Sequence, residues 1–141
     1  MNTTTGLKYR PIAEHHLEIG SFRFYPNIIV GEFTEGVHVA KANALVTFQL
    51  AQKIYGDGRP FIYISNRLNS YSMDPVGCGA AVGMFHDIRG IAIVSKNKYR
   101  RMLVALEKRF IKKPMAVFHT LDDAFVWSCQ LLEKETFSEI A

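Results

Sequence analysis

The sequence is poor in the features by which a function is usually recognised. Its 141 residues include two cysteines, Cys78 and Cys129, without a C-x-x-C spacing, which excludes a disulfide framework and a small structural zinc module. No run approaches the ~18 apolar residues of a membrane span. The opening MNTTTGLKYRPIAEHH lacks the apolar core of a secretory leader. The expectation is a soluble, unsecreted protein of the reducing cytoplasm. Low-complexity tracts and internal repeats are absent, as are G-x-S-x-G, P-loop, H-E-x-x-H and paired-carboxylate arrangements. The segment GCGAAVG, Gly77 to Gly83, carries a G-x-G, but Val82 stands where a dinucleotide fingerprint needs its third glycine. His15 and His16 with Glu14 and Glu18 fall in an extended stretch, where successive side chains point apart. His38, His86 and His119 are scattered singly. No metal, cofactor or enzymatic activity is therefore expected.

About half of the chain is hydrophobic (48%), enough for the core of one domain of ordinary size. One domain over 1–141 is expected, with its core at about 17–133 and flexible termini. Leu17 to Phe24 and the following IIVGEF read as two strands joined by the turn Tyr25-Pro26-Asn27, a hairpin. Ala44, Leu45, Phe48, Ala51 and Tyr55 recur at helical spacing until Gly56 to Pro60 stops the helix. PFIYIS and RGIAIVSKN are apolar on both faces, as buried central strands are. Between them Asp74-Pro75 starts a Gly/Ala-rich helix that neighbours can approach closely, with Asp74 as its cap and Pro75 at the first position. On that reading Asp74→Ala costs ~1 kcal/mol. KYRRMLVALEKRF reads as a helix whose buried face is Tyr99, Met102, Leu103, Leu106 and Phe110. KPMAVFHT is a last strand, and Thr120 caps a last helix with Asp122 and Asp123 in its first turn. KETFSEIA is expected to fray. The order is β-β-α-β-α-β-α-β-α, an α/β fold with a mostly parallel sheet.

This order, together with IRGIAIVSKNKYRRM and KPMAVFHTLDDAFVWSCQLL, resembles the STAS-like domains and, within them, the SpoIIAA-like branch, whose fold is related to the CRAL-TRIO lipid-binding domains. Ile91-Ala92-Ile93-Val94, Val117-Phe118 and the Asp122 to Trp127 helix start carry the resemblance, and IIVGEFTEG is similar to the family's early strand and helix start. It spans about 17–133. It implies a STAS-like mixed sheet of about five strands with about four helices mainly on one face. In anti-sigma factor antagonists of this type the strand–helix loop ends in an Asp-Ser-Ser-Gly motif with a phosphorylated serine. Here the text is Asp74-Pro75-Val76-Gly77, so both hydroxyls are gone and the usual phosphoacceptor is missing; Ser70 and Ser72 lie earlier in the loop.

Two surfaces are candidates for function. The first is the polar loop Asn66, Arg67, Asn69, Ser70, Tyr71, Ser72 and Asp74. It forms either a lip over a helix N-terminus that contacts a ligand or partner, or a connection whose side chains satisfy their own backbone. The second reading is preferred, because the Asp74 carboxylate would already occupy the helix end. The other surface is basic: Lys98, Arg101, Lys108, Arg109 and Lys112 surround one helix. A protein partner or a weak membrane-surface contact fits it better than nucleic acid, because Tyr99 and Phe110 fall on the core stripe and are not free to stack on bases. Phe22, Phe24, Tyr25 and Phe33 crowd the hairpin. Left uncovered, they would form a dimer interface or a hydrophobic groove, unless Leu7 to Ile12 fold over them. Cys78 and Cys129 read as small buried hydrophobes. The expected function is a non-enzymatic regulatory or protein-interaction domain that forms a homodimer. The alternative is a carrier or sensor of a small hydrophobic or lipid-like ligand, and a third reading is an enzyme with an unfamiliar site. An apolar pocket would favour the carrier, and an exposed apolar hairpin the interaction domain.

Overall fold

The computed structural model describes residues 10–140. The chain opens with a meander rather than a single hairpin: β1 (Ala13–Leu17), β2 (Gly20–Tyr25) and β3 (Ile28–Phe33) pair antiparallel in turn. The expected strand from Leu17 to Phe24 is broken after Leu17, where the chain turns and Gly20 pairs back on Leu17. A glycine suits that position, since a Cβ on Gly20 would lie 2.5 Å from the Glu32 carbonyl oxygen. Asn27 takes the left-handed conformation (φ 62°) in the next turn and donates from Nδ2 to the Pro60 carbonyl at 2.8 Å, the turn chemistry expected of Asn.

After a two-residue strand β4 (His38–Val39) comes helix α1 (Lys41–Tyr55). Asn43 accepts from the Ala40 amide at 2.8 Å to fix its start. Then follow β5 (Phe61–Asn66), β6 (Ser72–Met73), α2 (Pro75–Gly83), β7 (Ile88–Val94), the short helices α3 (Lys98–Met102) and α4 (Val104–Lys108), β8 (Met115–Phe118) and α5 (Leu121–Ile140). The main sheet has six strands in the order β1-β2-β3-β5-β7-β8, parallel from β3 onward. A separate parallel pair, β4 with β6, ties the polar loop to the entry of α1. The fold is thus α/β with a mixed sheet, carrying one more main strand than expected.

Each crossover from β3 to β8 steps one strand further in the same direction. Connections of one hand that all step the same way return over the same face. Accordingly Ala44, Phe48 and Ala51 of α1, Cys78, Ala81 and Val82 of α2 and Val104 of α4 share one core with Phe22, Phe24, Ile29, Phe61, Tyr63, Ile91 and Ile93. The alternate strand residues Val30, Ile62, Ile64, Ala92 and Val94 pack with Leu121, Ala124 and Phe125 of α5 on the other face. The aromatic residues of the meander are not left open. Phe22 and Phe24 are fully buried, and Tyr25 and Phe33 nearly so, with Phe24 edge-on to Tyr55 of α1 at 6.2 Å and to His15 of β1 at 5.7 Å. Phe24 is thus covered by α1 and β1, Phe33 meets Tyr71 of the loop at 5.3 Å, and Tyr25 lies on the other face against Phe125 of α5 at 5.1 Å, while Ile12 is exposed; Leu7 to Tyr9, also expected to fold back, lie outside the described residues.

Two further expectations are corrected. The helix expected over Lys98 to Phe110 is two short helices, and it is turned. Met102 (70%), Leu103 (54%) and Leu106 (46%) face out, Val104 and Glu107 are buried, and Phe110 is half-buried against α2 as expected; the Tyr99 side chain lies outside the described residues. The inward-facing side is set by an ion pair rather than by the apolar stripe, as shown below. The last helix does not fray at Lys134 but runs to Ile140. Its start is as expected, with the Asp123 amide donating to Thr120 Oγ1 at 3.2 Å. The close approach expected of the Gly/Ala-rich helix is also present: a Cβ on Gly79 would lie 2.5 Å from the Phe110 carbonyl oxygen.

Candidate ligand-binding site

β5 ends by carrying Tyr63, Ser65 and Arg67 out along the face covered by α1 and α2, because alternate strand residues share a face. Between this edge and the two helices lies a cavity of about 50 Å³. Its walls are mainly apolar: Phe33 from β3, Val39 from β4, Ala44 and Phe48 from α1, Val82 from α2, Ile91 from β7 and Ile111 after α4. At one end stand Tyr63, Ser65, Arg67, Cys78 and Glu107. Arg67, Met73, Pro75 and Glu107 also line an outer hollow of about 310 Å³, completed by Asn69, Tyr71, Ser72, Leu103 and Leu106. Arg67, Met73, Pro75 and Glu107 are thus shared by the cavity, here the inner chamber, and the outer hollow.

Arg67 Nη1 and Nη2 donate to the two carboxylate oxygens of Glu107 at 2.7 and 2.6 Å, and both side chains are about nine-tenths buried. Arg67 Nε donates to Ser65 Oγ at 3.1 Å, and Ser65 Oγ lies 3.4 Å from the Tyr71 hydroxyl. Burial opposes the Arg67 charge, but the hydrogen bonds to Glu107 outweigh it and hold the guanidinium above its ordinary pKa. Cys78 Sγ donates to the Val39 carbonyl at 3.6 Å, and its pKa is pushed up to about 11 by burial and by the Asp74 carboxylate. Cys78 is buried, as expected of a small hydrophobe. Cys129, on α5, is only half-buried.

Tyr63 is the unusual member. Its ring sits edge-on to Phe48 at 5.7 Å, and the residue is 7% exposed. Its hydroxyl has no hydrogen-bond partner among the described residues. Burial and then the neighbouring Tyr71 raise its pKa. The hydroxyl has room because residue 31 is glycine: a Cβ there would come within 2.2 Å of it.

Of the loop residues singled out by sequence, Arg67, Asn69, Tyr71 and Ser72 come together at this site. Asn69 Nδ2 donates to the Phe33 carbonyl (2.9 Å), and Ser72 Oγ lies 2.8 Å from His38 Nδ1. The others do not join them. Asn66 donates to Glu32 Oε2 (2.7 Å), which also receives Arg23 (3.0 Å); its side chain leaves on the opposite face. Ser70 is exposed, and its amide donates to Glu35 (2.8 Å). Asp74 occupies the cap position of α2, but its side chain makes no capping hydrogen bond. Its Oδ2 instead lies where a Cβ on Gly77 would fall, 2.6 Å away.

On the basic surface Lys98, Lys108, Arg109 and Lys112 are exposed. Arg101 Nη1 lies 2.8 Å from His119 Nε2. Sequence reasoning missed the apolar walls, Tyr63 and Glu107. The one available signal was Glu107, an acid inside a strongly basic stretch. Among the described residues no group of three His, Cys, Asp or Glu side chains is placed to hold a metal ion, and no helix is long and apolar enough to cross a membrane. The chain matches no protein-family model, no curated protein and no solved structure.

Proposed function

We propose that the chain is a binding domain for a small, mainly apolar molecule, held at the carboxyl ends of the parallel strands, where α/β folds commonly place ligands. The observation that carries this reading is the cavity between β5, α1 and α2, with apolar walls and one buried polar end. The burial of Phe22 and Phe24 removes the exposed hairpin face that would have pointed to a docking surface there. Neither a carrier nor a sensor needs a chemical step at this site. The strand–helix alternation, with its helices mainly over one face, is in keeping with a STAS-like domain that lacks the phosphoacceptor serine, and we hold the family as part of the same proposal.

The test is native mass spectrometry of the protein from its own cells beside a denatured control. Added mass that is lost on denaturation, and lost again from a cavity-filling Val82→Phe variant, supports the reading. Unchanged loading of that variant would place the ligand elsewhere.

A second reading rests on a separate observation. Leu103 and Leu106 are exposed at the outer hollow and Met102 beside them, next to the exposed Lys108 and Arg109. An apolar patch with a basic border suits a protein partner or a second copy of the chain. The same spectra read it as a dimer or a co-purified chain.

A further inference from the structure

The identity of the ligand can be narrowed by asking which hydrogen-bonding capacity at the polar end is still unused; this step rests on the binding reading above. Arg67 places one hydrogen of each outer nitrogen on Glu107 and Nε on Ser65, so three of its five N–H groups are used and its charge is paired. Glu107 has each carboxylate oxygen on Arg67. The two charges neutralise one another, so a charged ligand meets no free counter-charge inside. An anion would have to displace Glu107 and leave that carboxylate buried without its partner, which is costly.

The Tyr63 hydroxyl differs from these groups. Tyr63 lines the cavity, and its hydroxyl is buried and bonds to nothing among the described residues. Buried polar groups are nearly always paired, because an unmade bond forfeits the water left behind. A phenylalanine would give the same ring without that loss. The neighbouring strand even leaves out a side chain, at Gly31, where the hydroxyl needs space. A hydroxyl accommodated in this way, and left unbonded by the protein, is suited to a partner that arrives with the ligand.

We infer that the ligand is an uncharged small molecule with a compact apolar body and one oxygen, and that this oxygen accepts a hydrogen bond from the Tyr63 hydroxyl. The inner chamber of about 50 Å³ is well below the ~150 Å³ that holds benzene. The part that enters is therefore a group of a few heavy atoms, such as a short ketone or its equivalent at the end of a longer molecule whose remainder lies in the outer hollow.

The experiment uses three probes of one shape: acetone, isobutene, which replaces its oxygen by a methylene, and acetate, which adds the charge. Each is titrated into methyl-labelled full-length protein, wild type and Tyr63→Phe, and followed by shifts of the Val82 and Ile91 methyl signals. The expected result is that acetone and isobutene both shift these signals and acetate does not. Tyr63→Phe should lower the ratio of acetone to isobutene affinity about tenfold, the value of one hydrogen bond. Circular dichroism of the variant checks that it is folded. An unchanged ratio in the folded variant overturns the role of Tyr63 while leaving the cavity as a binding site. Acetate binding more tightly than acetone overturns the neutral ligand. If neither acetone nor isobutene shifts these signals, it is the binding reading itself that fails.

Discussion

Arg67 and Glu107, forty positions apart in the chain, meet through two hydrogen bonds of 2.7 and 2.6 Å in the lining of the cavity. The pair fastens α4 to the end of β5. It explains why α4 turns Glu107 inward and its leucine neighbours outward.

Removing one member should therefore cost far more than removing both. Glu107→Ala leaves a buried guanidinium unpaired and is expected to lower stability by about 3–5 kcal/mol, a large part of what a domain of this size has. The double change Arg67→Met with Glu107→Leu should recover most of that loss. Urea unfolding of the three proteins checks it, and a double variant as unstable as Glu107→Ala would show that the pair is not the fastening.

Gly31 and Tyr63 make a second coupled pair. Gly31→Ala brings a Cβ within 2.2 Å of the Tyr63 hydroxyl and 2.8 Å of its Cζ. It should cost about 1–3 kcal/mol by overpacking. In a Tyr63→Phe background the worst of these contacts is gone and part of the loss should return, though the ring carbon still crowds. A thermal double-mutant cycle reads the coupling; strict additivity would mean the two residues do not press on each other.

The Cys78 thiol, with a pKa near 11, is almost wholly protonated at pH 8, with thiolate at roughly one part in a thousand. Alkylation by iodoacetamide should be slow in the folded protein and fast in urea. Because the folded value lies above the ordinary 9.0, the thiol's contribution to stability is complete below pH 9 and is lost as pH rises through about 11. A Cys78→Ala variant should lose less stability than wild type across that interval in alkaline denaturation curves.

Asp74→Ala should change stability by about 0.5 kcal/mol or less, since the carboxylate makes no capping hydrogen bond. A loss of 1 kcal/mol or more in thermal melts would restore the capping role read from the sequence.

Elements held by local chemistry were legible before the structure. Thr120 caps α5, Gly56 ends α1, Asn27 takes the left-handed turn, and β5 and β7 are buried on both faces. Elements held by distant partners were not. AEHHL has no apolar alternation, and it becomes β1 only by pairing with β2. The stripe Met102, Leu103, Leu106 has the spacing of a buried face, but Arg67 outbids it for Glu107. Of the residues lining the inner chamber, Arg67 stands out in the sequence as part of the polar loop and Phe33 as part of the hairpin, while Cys78 reads only as a buried hydrophobe. The chamber's other walls come from segments scattered from β3 to the stretch after α4, and residues so scattered carry no pattern until the crossovers bring them together.

Among the described residues the six-stranded sheet ends in two borders, β1 and β8. A bare border invites another chain to add on. Here one border is written in Glu14, His15 and His16, and the other is bracketed by Lys112, Lys113 and Pro114 on one side and His119 on the other. Charge, imidazole and a residue without an amide hydrogen all oppose strand addition. The molecule thus guards itself against fibrillar growth at both margins. Residues that contribute nothing to the cavity thus carry the features that oppose edge-to-edge growth of the sheet that holds it.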